Sequence, residues 1–138
     1  MKVASIAMCV AVAASSVGYT FPAVAQAAPA LTCTITPGGL PSTTTCTTNY
    51  PNDNYNAQFV VSGLPAGTYS YAWSANKPAG LETGCDDVCN LGYNADGMDY
   101  RNLVTVTATN LSNGTHYTLS TRVSTLAVCY NVISPHFC

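Results

Sequence analysis

Positively charged residues are scarce in this chain. Lys and Arg together number 4 in 138 residues, against 6 Asp and Glu, and the formal net charge is −2. Binding a nucleic-acid backbone takes several Lys or Arg side chains on one surface, and anionic membranes attract clusters of the same residues. So few scattered cations form neither surface. We therefore expect no nucleic-acid partner and no membrane insertion.

Catalytic motifs are also missing. The sequence has no Gly-x-Ser-x-Gly nucleophile elbow, no His-Glu-x-x-His zinc motif and no glycine-rich phosphate loop opening a helix. The two histidines, His116 and His136, have no such motif around them. We predict that the protein is not an enzyme. Strong helix formers are sparse as well, so helix should be minor.

The first 27 residues have the pattern of a secretory signal peptide. Lys2 precedes an Ala/Val-rich run that is short for a membrane span, and small residues at 23, 25 and 27 suit signal peptidase. Cleavage near residues 25–27 would leave 28–138, a length that suits one domain. We predict a secreted or extracellular protein, with the periplasm or cell surface as further locations.

The remaining cysteines predict disulfide bonds. Of the 7 cysteines, Cys9 falls in the signal peptide, and export to an oxidising compartment favours disulfides over zinc for the other six. Three bridges are expected among Cys33, Cys46, Cys85, Cys89, Cys129 and Cys138. A hairpin turning at Gly39-Leu40 would place Cys33 opposite Cys46, and the other two pairs are neighbours in sequence. Spacing alone does not decide the pairing.

Period-two patterns predict the fold. Apolar and small polar residues alternate in 31–36, 68–74, 104–109 and 117–123, and 57–64 is apolar enough for a central strand. The Thr-rich segment 42–49 is predicted to be an edge strand anchored by Cys46, and 126–133 closes the chain. Short strands separated by Gly, Pro and Asn turns favour an all-β protein, a single sandwich of two sheets braced by disulfides.

Three features resemble a known group of domains. The strand Tyr69-x-Tyr71-x-Trp73, the strand 104–109 and the closing Cys129 are similar to those of bacterial extracellular immunoglobulin-like and PKD-like β-sandwich domains. PKD-like domains usually continue into an acidic Gly-Asp-Gly turn, whereas residues 74–77 are Ser-Ala-Asn-Lys here. The resemblance implies an immunoglobulin-like sandwich with a role in recognition or spacing. It also implies an alternative disulfide between Cys33 and Cys129.

The segment 76–100 is predicted to be a long loop that carries the function. It shows no strand or helix period, and loops of this length in compact domains are usually binding loops or disordered. Most of the acids and two tyrosines lie in it, and these are the predicted binding residues: Glu82, Asp86, Asp87, Tyr93, Asp96, Asp99 and Tyr100. Asp96 and Asp99 are also a hypothetical calcium site, because residues 94–97 partly match a calcium loop. No other cofactor is expected.

Aromatic residues offer two kinds of surface. Tyr69, Tyr71 and Trp73 share one strand face and are interpreted as core, with a sugar-stacking platform as the alternative. Tyr50, Tyr93 and Tyr100 lie in or beside predicted loops and are the better platform candidates.

These patterns favour a secreted binding module. The partner would be an extracellular protein or glycan, held by the disulfide-braced loop 76–100. One alternative is a structural surface or filament subunit, because the Thr-rich edge 42–49 lacks the lysines that deter strand association, so self-association is a further expectation. Another is a small inhibitor of an extracellular hydrolase, whose stapled loop would enter the target's cleft.

Overall fold

A computed structural model of the chain describes residues 26–130 and 134–138. The predicted signal peptide lies outside the described residues except for its last two positions, and the predicted closing segment 126–133 is described only up to Tyr130. The described residues contain no helix, and hence none long and apolar enough to cross a membrane. The all-β prediction is confirmed, and the expected minor helix is not found in this part of the chain.

Across residues 26–130 and 134–138, nine strands form three sheets. In chain order they are β1 (Ala30–Thr36), β2 (Thr45–Cys46), β3 (Tyr55–Ser62), β4 (Tyr69–Ala75), β5 (Val88–Tyr93), β6 (Tyr100–Asn110), β7 (His116–Thr125), β8 (Val128–Tyr130) and β9 (Pro135–Phe137). The first sheet has the order β1-β3-β5 and the second the order β2-β7-β6-β4, while β8 and β9 form a two-stranded hairpin. All pairs are antiparallel except β2 with β7, which is parallel.

The two larger sheets share one hydrophobic core. Strand β3 alternates strictly between buried and exposed residues, and its inward side chains include Ala57 and Phe59. From the second sheet, Val104, Val106 and Val123 belong to the same buried cluster. Alternation of this kind places one face of each sheet against the other and leaves the outer faces to Thr, Ser and Asn. The predicted sandwich of two sheets is therefore present.

The segment 42–49 differs from its prediction. Only Thr45 and Cys46 form a strand there, and they pair with β7 rather than returning along β1 as a hairpin. The Cys33–Cys46 bond forms with a Cα–Cα distance of 6.0 Å, and Cys46 is fully buried, as an inward anchor should be. Because β1 and β2 belong to different sheets, this disulfide joins the two layers. The favoured pairing of Cys33 with Cys46 is therefore present, but the predicted hairpin that would have placed them opposite each other is wrong.

The other two disulfides are also those favoured by sequence proximity. Cys85 bonds to Cys89 and Cys129 bonds to Cys138, with Cα–Cα distances of 5.2 and 5.3 Å. The alternative bond between Cys33 and Cys129 is therefore overturned, because both partners are committed elsewhere. Three disulfides in one small domain fit folding in an oxidising environment.

Removing the Cys33–Cys46 disulfide should destabilise the domain more than removing the Cys85–Cys89 disulfide. The double variant Cys33→Ala/Cys46→Ala is expected to lose about 3 kcal/mol of unfolding free energy, and Cys85→Ala/Cys89→Ala about 2 kcal/mol, because the longer loop restricts the unfolded chain more. Guanidinium unfolding of both variants measures the difference. Equal midpoints for the two variants would contradict this order.

Candidate functional site

The predicted loop 76–100 is not a loop throughout. Residues 88–93 form β5, whose inward residues Cys89, Leu91 and Tyr93 are buried in the core. The sequence does not show this alternation clearly, because the outward residues Asn90 and Gly92 are typical of turns and the inward Cys89 is predicted only as a disulfide partner. What remains is an ordered segment before β5 and a short connection after it, residues 94–99.

The segment 76–87 forms a braced ridge along the edge of β5. The Glu82 amide donates to the carbonyl of Asn90 at 2.9 Å, and the Gly92 amide donates to the carbonyl of Gly80 at 3.0 Å. The Asn90 side-chain amide also donates to the Glu82 carboxylate at 2.8 Å. Gly80 has a φ of 82°, and a Cβ there would collide with the Gly92 carbonyl, so this close approach needs glycine.

The far end of the ridge is fixed from two sides. The Cys85–Cys89 bond ties it to β5, and the Trp73 indole N–H donates to the Asp86 carbonyl at 2.9 Å. The Val61 amide also donates to the Asp87 carbonyl at 2.8 Å. The carbonyls of Asp86 and Asp87 are thus bonded within the protein, while the ridge acids Glu82, Asp86 and Asp87 have exposed side chains.

The predicted acids fall into two separate groups. Glu82, Asp86 and Asp87 lie on the ridge, whereas Asp96 and Asp99 lie in the connection 94–99. Asp99 is already engaged through both carboxylate oxygens. One accepts from Arg101 at 3.3 Å and the other accepts from the Ala127 amide at 3.0 Å. Arg101 thus offsets part of the negative charge of the connection 94–99.

The calcium site at Asp96 and Asp99 stays a prediction, and the contacts of Asp99 weaken its case as a ligand. Ligation by Asp99 would compete with its contacts to Arg101 and Ala127. In the described part of the chain, one cluster has metal-ligating atoms close together, namely Glu82, Cys85 and Cys89, but its two sulfurs are joined in a disulfide. Thermal unfolding with millimolar calcium and then with chelator tests the hypothesis. A rise in Tm that Asp96→Asn abolishes would support it, and no rise would remove it.

Tyr93 is a core residue, which corrects its place among the binding candidates. Its side chain is 9% exposed and its hydroxyl shares a hydrogen bond of 2.7 Å with Thr125. The ring stacks on Tyr55 with centroids 5.4 Å apart and on Tyr100 with centroids 4.1 Å apart. Beyond Tyr100, the Lys77 ammonium lies 4.9 Å from the ring centroid. This tyrosine stack, Tyr55-Tyr93-Tyr100, connects the two sheets at one end of the sandwich.

The buried phenols predict a loss of stability at high pH. Burial raises the pKa of Tyr93 above its ordinary value of 10.0, and burial also raises the pKa of Tyr55 and Tyr100. Because the folded-state pKa is the higher one, the stabilisation is complete below about pH 10 and is lost as the pH rises through the folded-state pKa. We expect Tm to fall above about pH 10, and less steeply in Tyr93→Phe. A flat Tm across that range would contradict this expectation.

Two open grooves flank the ridge. The aromatic groove has a volume of about 300 Å³ and is lined by Tyr71, Trp73, Pro78, Leu81, Glu82 and Cys85 among others. The second has a volume of about 390 Å³ and includes Lys77, Asn94, Asp96, Met98 and Tyr100. Tyr71 and Trp73 pack against the core yet remain partly exposed, so the interpretation as core is only half of their role. Their place on the edge strand β4 explains this, because among the described residues no further strand lies beside them.

A third depression lies on the outer face of the second sheet. It has a volume of about 410 Å³, and its lining includes Arg101 and Arg122, which no sequence motif singled out. Arg101 and Arg122 line the same depression because β6 and β7 are adjacent, with Leu103 opposite Arg122. Arg101 is already paired with Asp99 and its side chain is 76% exposed, so the depression is a weaker candidate than the ridge.

No protein-family model, curated protein sequence or solved structure matches this chain.

Proposed function

We propose that the protein is a secreted recognition module that binds an extracellular protein or glycan through the ridge 76–87. The observation that carries the proposal is the contrast between its backbone and its side chains. The backbone is held by β5, by a disulfide and by Trp73, while the carboxylates of Glu82, Asp86 and Asp87 are exposed. A rigid surface loses little conformational entropy on binding, which favours recognition.

The side chains favour a particular kind of partner. Three carboxylates on the ridge complement a surface that carries positive charge, and the neighbouring Tyr71 and Trp73 add amphipathic contact area. The proposal includes no catalytic role.

The sandwich is proposed to be immunoglobulin-like. The orders β1-β3-β5 and β2-β7-β6-β4 support this, since an immunoglobulin domain places its A, B and E strands in one sheet and its C, F and G strands in the other. Neither β3 nor β6 contains a cysteine, so the B–F disulfide of antibody domains has no counterpart. In this arrangement the ridge occupies the connection between the C and E strands.

Isosteric neutralisation of the ridge tests the proposed function. The triple variant Glu82→Gln/Asp86→Asn/Asp87→Asn keeps the size of each side chain, and the new amide at position 82 retains an oxygen for Asn90. Immobilised wild-type protein is exposed to the producer's culture medium and envelope extract, and the captured molecules are identified by mass spectrometry and glycan analysis. We expect capture to be lost in the triple variant and weakened by salt, because the contacts involve exposed charges.

Asp96→Asn is the matched control, because it removes an exposed acid outside the ridge. Capture by wild type and control but not by the triple variant supports the ridge as the binding surface. Equal capture by all three would overturn it. The inhibitor alternative stays a prediction, and loss of a captured hydrolase's activity would favour it.

A further inference from the structure

Strand β4 has an open edge. It pairs with β6 alone, at the end of the second sheet. The Asn76 amide donates to the Leu103 carbonyl, and the Leu111 amide donates to the Thr68 carbonyl, so the even-numbered residues direct their backbone groups toward β6. In an antiparallel ladder the alternate residues then point their N–H and C=O groups outward. The residues with outward backbone groups are Tyr69, Tyr71, Trp73 and Ala75. Within the described residues no strand pairs with this outer side of β4.

The other sheet edges are covered or shorter than that of β4. The ridge residues Gly80–Glu82 bond to the outer side of β5, and Ser42 forms a two-way backbone bridge to Cys33 of β1. Strand β2 has only two residues and pairs with Arg122 and Val123 of β7, so residues 116–120 of β7 leave a shorter open edge of five residues. By contrast β4 has seven residues, none of them charged and none of them proline. Charge and proline are the ordinary protections of an exposed edge, and β4 has neither.

The sequence of β4 matches itself in one antiparallel register. If two copies meet about a two-fold axis at Ala72, Tyr71 lies opposite Trp73 of the partner subunit and Tyr69 opposite Ala75 of the partner subunit. All outward backbone groups of both strands are then paired, whereas a shift by two residues leaves some unpaired. Ala72 faces its own copy at the close, non-hydrogen-bonded spacing, where a small side chain fits.

We propose that β4 is a dimerisation edge through which two copies of this chain pair in that register. The half-exposed Tyr71 and Trp73 become cross-strand aromatic pairs, which stabilise antiparallel strands. A two-fold interface uses the same surface on both copies, so assembly stops at two rather than growing into a filament. The ridge acids are not part of the ladder, whereas Tyr71 and Trp73 line the aromatic groove and also lie in the proposed interface.

Charge placed at residue 72 tests the register. Ala72 is exposed on the outer face, so Ala72→Lys leaves the pairing with β6 intact but sets two like charges against each other across the axis. Sedimentation equilibrium of the exported, oxidised protein is expected to show a wild-type dimer and, for Ala72→Lys, a dimer about fivefold weaker. Ala72→Glu should be weakened likewise, and mixing the two variants should restore dimerisation as a heterodimer.

Thr118→Lys is the control, because Thr118 lies in the same row of the same sheet but on β7, which β6 separates from β4. It is expected to dimerise like wild type, as is the ridge triple variant. A wild-type monomer at all accessible concentrations would overturn the proposal. So would a dimer that charge at residue 72 leaves unchanged, a failure of the mixed variants to recover, or growth beyond two copies.

Discussion

Phe59→Ala is expected to lower the free energy of unfolding by about 3–5 kcal/mol, the usual cost of removing a buried aromatic ring. Phe59 lies at the middle of the central strand β3, is fully buried, and its ring centroid is 6.2 Å from that of Trp73 on the other sheet. Its cross-strand neighbours are Cys33 and Cys89, which belong to two different disulfides. Because these neighbours are held covalently, the cavity cannot collapse easily, and the cost should lie toward the upper end.

Val60→Ala is the matched control for Phe59→Ala. Val60 is the next residue on the same strand but faces outward and is 36% exposed, so its truncation should change stability by about 0.5 kcal/mol or less. Urea unfolding of both variants measures the contrast. If the two variants had similar midpoints, the alternation that defines the core face of β3 would be wrong.

The fold could be predicted from sequence where side-chain alternation was complete. Residues 68–74 and 104–109 alternate without interruption, and both became long strands of the second sheet. The pattern failed for β5, because Gly92 and Asn90 suppress the contrast between its two faces. It also failed for 42–49, where Thr is equally compatible with strand and loop. The burial of Cys46 was predictable because it was the one residue of 42–49 expected to anchor that segment inward through a disulfide.

The candidate site was only partly predictable for a related reason. Asp99 and Glu82 were predicted to share one loop because they are close in sequence. Strand β5 lies between them in the chain and divides that segment in two. Trp73, which donates to the Asp86 carbonyl, lies 13 residues before it, and no motif linked the two. The open edge of β4 depends on the order of strands in the sheet, and strand order is a tertiary property that alternation does not encode.

Tyr93→Ala is expected to cost about 3–5 kcal/mol, comparable with other deletions of buried aromatic side chains. The ring is the middle member of the tyrosine stack, so its loss separates Tyr55 from Tyr100 and opens the end of the sandwich. Tyr93→Phe keeps the ring but leaves the Thr125 hydroxyl, which is 2% exposed, without its partner. That change should cost about 1–3 kcal/mol.

Tyr50→Ala separates a structural role from a binding role for these tyrosines. Tyr50 is 57% exposed, so its truncation should barely alter the unfolding midpoint, whereas a platform residue would lose partner capture on truncation. Tyr93→Phe should reduce partner capture only as far as it reduces the folded fraction, because the buried side chain of Tyr93, including its hydroxyl, is inaccessible to a partner. A Tyr93→Phe protein that stayed as stable as wild type but no longer captured its partner would contradict the core assignment and return Tyr93 to the binding surface.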